Sequence, residues 1–156
     1  SLEGKTVIDI LPDALKRPGL FPAGRLDKDT TGFMLITDDG EFAHDILSPA
    51  KHIPKTYICK LEREVTPEEY KLFEDGMDLG DIVLKPASLK HLTALFYEIV
   101  IREGRYHQIK RMFAKIGNKV LELKRTKIGD LELDFYLSEG ESRELSSEEL
   151  NLIKKR

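Results

Sequence analysis

An α+β fold, with a mixed, mostly antiparallel sheet flanked by helices, is predicted by three observations. Segments alternating with period two and segments with helical periodicity both recur, about six of the first kind and four or five of the second. They do not follow the strict strand–helix alternation that builds a parallel sheet. The 156 residues suffice for one domain with a single core, or one domain with a small appendage.

Taken in order, Thr6-Val-Ile-Asp-Ile-Leu-Pro12 reads as a short helix capped by Thr6 and stopped by Pro12. Residues 12–22 are loop-like. Phe33-Met-Leu-Ile36 is an apolar run bounded by Gly32 and Asp38-Asp-Gly40, the pattern of a strand buried on both faces. Residues 41–47 form a short amphipathic helix ended by Ser48-Pro49. From Lys55 to Leu61 the chain alternates, with Tyr57, Cys59 and Leu61 on one face of a strand. Thr66-Pro-Glu-Glu69 combines an N-cap, a first-turn proline and a capping-box glutamate, opening a helix that should end near Gly76. Strands are expected over 81–89, 95–102 and 120–127, and a weaker, acidic one over 130–137. Tyr106 to Ile116 reads as a helix stopped by Gly117-Asn118. A second capping box, Ser146-Ser-Glu-Glu149, opens a terminal helix with Leu150 and Ile153 inward.

Composition excludes several classes. No apolar run approaches the roughly 18–20 residues that span a bilayer, and no basic-then-apolar leader opens the chain, so a cytoplasmic location is expected. The single cysteine, Cys59, excludes an internal disulfide framework and reads as a small buried hydrophobe. The net charge is −3, yet it is segregated: residues 102–127 hold nine Lys/Arg against two acids, and the rest holds 16 bases against 26 acids. That basic stretch is either a face for a polyanion or a solvated helix and strand.

Three segments can carry chemistry. Gly24-Arg-Leu-Asp-Lys-Asp-Thr-Thr-Gly32 is a turn rich in Gly, Asp and Thr that leads into a strand, so Arg25, Asp27 and Asp29 are presented by a rigid support. The same pattern also suits a polar turn whose acids cap neighbouring amides. Residues 27–38 mimic a calcium loop as well. The mimicry fails at position twelve, where Asp38 is a poor bidentate ligand, and no long helix enters the loop. In Glu103-Gly-Arg-Tyr-His-Gln-Ile-Lys-Arg-Met-Phe113, residues Ile109, Met112, Phe113 and Ile116 share one arc and should face the core. His107, Arg111 and Lys115 lie opposite as a basic row suited to phosphates. Lys110 sits at the border, where its stem is covered while its ammonium reaches a cleft. The third segment is Lys55-Thr-Tyr57, whose tyrosine either packs across strands or serves a site. His44, Asp45 and His52 lack the spacing of a metal ligand set.

Together these segments resemble the pseudouridine synthases, specifically the ribosomal family of the RsuA/RluB type. Gly24 to Gly32 with the following Phe-Met-Leu-Ile-Thr-Asp-Asp-Gly40 looks like that family's active-site motif. Lys55-Thr-Tyr57 and residues 103–113 look like its second and third motifs, in the expected order, and Ser48-Pro49 and Arg125-Thr-Lys-Ile-Gly129 also fit. The resemblance implies the pseudouridine synthase fold and isomerisation of a specific uridine to pseudouridine in ribosomal RNA or a ribosomal assembly intermediate, small-subunit RNA being favoured. It implies neither cofactor nor metal. Asp27 is then the catalytic aspartate, Tyr57 the active-site tyrosine and Lys110 the cationic partner of the carboxylate. Arg25, Arg105, His107, Gln108, Arg111 and Lys115 would contact RNA. Asp27 could stabilise positive charge on the sugar, attack it, or remove a ribose proton. Family members usually open with a strand carrying an Asn-Lys-Pro-x-Gly-like segment, and many have a separate RNA-binding domain upstream. Residues 1–156 are thus expected to be a catalytic domain without that strand and that domain. The competing expectation is a non-catalytic RNA-binding module using the basic 102–127 stretch.

Overall fold

The computed structural model describes residues 6–51, 53–105 and 107–154. Its central sheet holds six strands: β2 (Thr30–Gly32), β4 (Lys55–Leu61), β5 (Ser88–Thr93), β6 (Phe96–Ile101), β7 (Val120–Ile128) and β8 (Leu131–Glu132). The spatial order is β2-β7-β4-β6-β5, with β8 also on β7. Among the described residues the β2–β7 pair is parallel and the other pairings are antiparallel. The two-residue strands β1 (Phe21–Pro22) and β3 (Ile36–Thr37) make a separate antiparallel ribbon. The described residues also form four α-helices: α1 (Gly40–Leu47), α2 (Pro67–Asp75), α3 (Gln108–Lys115) and α4 (Ser147–Ile153). The fold class is α+β, as the sequence pattern predicts.

The elements close where local chemistry stops them. Asp39 caps α1 by accepting the Phe42 N–H at 3.0 Å, and Ser48 leaves the helix in an extended conformation. Glu69 reaches back to the Thr66 N–H at 2.8 Å and is itself gripped by Arg63, which with the capping bonds holds its carboxyl down to about 2. Two apolar clusters divide the interior. One lies between the sheet and helices α2 and α3, where Phe73 and Phe113 stack at 5.0 Å and the Tyr97 hydroxyl accepts the Val65 N–H at 3.0 Å. Cys59 is fully buried there, and burial pushes its thiol up to about 12, so it behaves as a hydrophobe. The other cluster joins Ala23, Phe33 and Leu35 to α1, α4 and the β7–β8 corner.

Several elements differ from expectation, each for a local reason. The segment from Thr6 to Pro12 is a pair of turns, not a helix. Thr6 and Asp9 satisfy each other's backbone N–H groups, and Pro12 arrives before propagation outweighs the cost of nucleation. The run 33–36 is not one strand: Gly32 bends the chain, so residues 30–32 pair with β7 while Ile36 joins the ribbon. Within 81–89 there is only a bridge from Val83 to Asp78 before β5 begins, and Val83 is exposed. β5 escapes the period-two search because as an edge strand it buries almost nothing. Within 130–137 pairing stops at Glu132, after which Asp134 accepts the Tyr136 N–H and turns the chain. In α4, Ile153 is buried, but Leu150 faces solvent and Leu152 packs inward instead. Tyr106, the expected start of the helix that begins at Gln108, and His52 lie outside the described residues.

Candidate active site

Residues 24–29 reach the surface because both ends of the segment are pinned. Ala23, 2% exposed, donates its N–H to Leu35 at 2.8 Å, and the Thr30 N–H closes a turn onto the Asp27 carbonyl at 2.9 Å. Beyond Thr30 the chain enters β2, so Asp27 stands at the mouth of a strand fixed in the sheet. α3 packs against the same sheet through Ile109, Met112 and Phe113. Its border residue, Lys110, therefore reaches the Asp27 turn from a position 83 residues along the chain from Asp27.

Lys110 Nζ lies 2.6 Å from Asp29 Oδ1 and 3.8 Å from Asp27 Oδ2. Its short bond is thus to Asp29, with Asp27 in the second rank. The Lys110 hydrogen bond holds the Asp29 carboxyl below its ordinary range. In return Asp29, and then Asp27, raise the Lys110 ammonium above its own, so the lysine stays cationic. His107 approaches from the other side, Nε2 to Asp27 Oδ1 at 3.5 Å. Asp27 itself is partly covered, with 29% of its side chain exposed, which leaves the carboxylate reachable.

Tyr57 sits on β4 directly opposite Arg125 of β7, on the sheet face that carries the α3 cluster, and is half-buried against that cluster. Arg25 is exposed beside the turn. Arg105 is exposed and leans on the buried Glu103 carboxylate, which also accepts the Lys85 N–H. Arg111 is tied to Asp81, and Lys115 is exposed at the far end of α3. Gln108 is a correction to the RNA-facing set. Only 4% exposed, it accepts the Arg105 N–H at 3.1 Å and lies against Met112, so its amide serves the loop from inside.

Two buried cations lie within motifs of the sequence reading but carry no role of their own in it. Arg125, 6% exposed, donates Nε to the Phe33 carbonyl at 2.8 Å, and its Nη2 is buried without a hydrogen-bond partner among the described residues. Lys55, 8% exposed, donates to the Ile46 carbonyl at 2.7 Å near the end of α1. The signal was present: Lys55 keeps the period-two phase of Tyr57, Cys59 and Leu61, which places it inward.

Burial, reinforced by the Arg125 charge, lowers the Lys55 ammonium to about 8. Between pH 8 and its ordinary value, the unfolded chain holds a proton that the folded protein has released. This residue's contribution to stability therefore rises with pH across that window, and its charge is unfavourable below it. Replacing the lysine by methionine removes the penalty but forfeits one hydrogen bond worth about 1 kcal/mol. Lys55→Met is expected to be more stable than wild type at pH 7 by about 1–2 kcal/mol. The difference should shrink as pH rises above 8. Urea unfolding of both proteins at pH 7, 8.5 and 10 checks it; a gap constant with pH would contradict the assignment.

A partly covered carboxylate with an ammonium and an imidazole at its two oxygens, beside a basic helix, suits chemistry on a polyanion in which positive charge develops. The family comparison agrees. Residues 3–115 match the model of the RNA pseudouridylate synthase family. The chain is 44% identical over 155 residues to an uncharacterized RNA pseudouridine synthase, YtzG, of Bacillus subtilis, covering 96% of this chain and 64% of that protein. It is 47% identical over 133 residues to ribosomal small subunit pseudouridine synthase A of Escherichia coli K12, covering 84% and 58%. A crystal structure of a pseudouridylate synthase superposes with a TM-score of 0.88 at 42% identity, covering 95% of this chain and 65% of that one. The chain thus spans about three-fifths of the length of the curated relatives it matches. On sequence and on fold, this chain belongs to the RNA pseudouridylate synthase family.

Proposed function

We propose that residues 1–156 act as the catalytic unit of a ribosomal RNA pseudouridine synthase directed at small-subunit RNA, working in the cytoplasm on the RNA or an assembly intermediate. The observation that carries the reading is the Asp27 carboxylate, flanked by Lys110 and His107 at the mouth of β2. The small-subunit preference rests on relatives that carry that name at 47–49% identity.

The isomerisation needs no net electron transfer. The bond from uracil N1 to ribose C1′ breaks, and its electron pair leaves with the base. Asp27 meets the electron-poor sugar as charge stabiliser, as nucleophile at C1′, or as acceptor of a ribose proton. The loose ring turns, C5 bonds to C1′, the C5 proton departs, and N1, which kept the electron pair of the broken bond, takes up a proton, restoring a neutral aromatic base. Tyr57 holds the ring and assists removal of that proton. Lys110, fixed by Asp29, supplies a permanent positive charge beside the reacting carboxylate. Arg25, Arg105, Arg111 and Lys115 provide contacts to the phosphates of the RNA from which the uridine is extruded.

Tritium release from C5-labelled uridine, measured on small- and large-subunit ribosomal RNA and on their ribonucleoprotein particles, tests the reading. Release from the small-subunit substrate is expected. Release from large-subunit RNA alone would overturn the target, and none from any substrate would overturn the activity.

A further inference from the structure

We propose that His107 is a positioning residue for Asp27, fixed in place by a left-handed backbone conformation at the entrance to α3. This rests on the activity proposed above. Its own observations are the backbone of one residue and the placement of one ring.

The other three helices start from N-cap residues with ordinary negative φ, −95° at Asp39, −79° at Thr66 and −76° at Ser146. His107, which occupies the same position before α3, has φ 49° and ψ 34°. Residues other than glycine seldom adopt that region, and they do so where the surrounding structure over-determines them. Here it does. Arg105 accepts the Gln108 N–H at 3.1 Å while donating its own N–H to the buried Gln108 side chain, so the chain folds back on itself across His107. The His107 carbonyl then accepts the Arg111 N–H at 2.9 Å and starts the helix. Below the loop, the buried Glu103 carboxylate ties it to the Lys85 backbone.

The ring that results is not placed as a phosphate ligand. Its Nε2 is 3.5 Å from Asp27 Oδ1, whereas Lys110, three residues on and on the same helix face, approaches Oδ2. The two side chains thus face separate oxygens and bias the plane of the carboxylate electrostatically. Among the described residues Asp29 and Lys110 are further charged groups near the ring, and the strong bond is between those two. Without the imidazole, Asp27 loses its Oδ1 partner, and the pull of Lys110 on Oδ2 favours rotation toward the lysine. A misplacement of about 1 Å at a reacting group is enough to slow a reaction about a hundredfold.

A left-handed glycine tests this cleanly, because His107→Gly keeps the backbone and removes only the ring. We expect a melting temperature no lower than wild type, dissociation constants for ribosomal RNA within twofold, and a single-turnover rate about 10- to 100-fold lower. His107→Gln, which returns an N–H donor at similar reach, should recover part of that rate. An unchanged rate in His107→Gly, or a defect confined to RNA affinity, would overturn the proposal and leave His107 as an RNA contact. Crystal structures of wild type and His107→Gly read the claim without turnover: Asp27 should leave its orientation in the variant, and an unmoved carboxylate overturns it. Should wild type itself make no pseudouridine, the activity reading fails separately, and the crystallographic comparison still decides this one.

Discussion

Asp27→Asn should abolish pseudouridine formation, with a loss of at least about 10⁴-fold in single-turnover rate, the scale seen when a reacting group is removed from a site that otherwise stays intact. The variant is nearly isosteric and keeps an oxygen acceptor. Its partners, at 3.5 and 3.8 Å, are too distant for strong hydrogen bonds, so the stability change should stay within about 1 kcal/mol. Lys110 also keeps its anchor, since its 2.6 Å bond goes to Asp29. RNA affinity should hold or improve slightly, because one negative charge leaves a basic surface. Fold, binding and the neighbouring ammonium therefore survive while the charge at the sugar is lost. Asp29→Asn is the matched control: it weakens the tether on Lys110 but leaves the reacting carboxylate, and activity within about tenfold of wild type is expected. Tritium release with both proteins checks the pair. Residual turnover within tenfold in Asp27→Asn, or equal losses in the two variants, would mean that the wrong carboxylate has been assigned the chemistry.

That site was legible in pieces. Period-two alternation located β4, β6 and β7 because each buries one or both faces, and the caps at Thr66 and Ser146 located α2 and α4 because their side chains act within three residues of themselves. The helical wheel of α3 put Lys110 on the border between core and solvent, which is where its ammonium emerges. The split of residues 33–36 was not legible, since it depends on parallel pairing with a strand far along the chain, and that pairing ends at Gly32 opposite Arg125. Nor was the preference of Lys110 for Asp29 over Asp27: both acids lie in one turn, and only the angle at which the turn meets α3 chooses between them. Lys55 and Arg125 were hidden by their charge, which argues for the surface until packing shows their strand phase to be inward. Gln108 misled in the opposite sense, as a polar residue in a basic loop that turns in to hold the loop together.

Gly32→Ala should strongly destabilise the part of the protein that carries Asp27. Gly32 ends β2 at φ +107°, pressed against β7 opposite Arg125. A Cβ there would lie 2.1 Å from the Arg125 carbonyl oxygen and 2.7 Å from its nitrogen. Both are backbone atoms inside a sheet, so no rotamer change can relieve the overlap. The strands would have to part, and that would break the 2.8 Å bond from the Phe33 N–H to the Arg125 carbonyl. It would equally release the buried Arg125 Nε from the Phe33 carbonyl, leaving a guanidinium short of a second partner. Backbone strain, overlap and an orphaned buried donor together should destabilise the protein by at least about 3 kcal/mol, or about 6–12 °C in melting temperature for a chain of this size. Function should fall further than the folded fraction does, because the strand that parts is the one that presents Asp27. Gly40→Ala is the comparison: at the first residue of α1 its Cβ meets nothing within 4 Å, and alanine is the better helix former, so stability should hold or rise. Thermal and urea unfolding of the two variants, with turnover measured well below either transition, separates these effects. If Gly32→Ala melts with wild type, the close β2–β7 contact is not what holds the Asp27 turn, and the account of how one parallel strand aims the carboxylate fails with it.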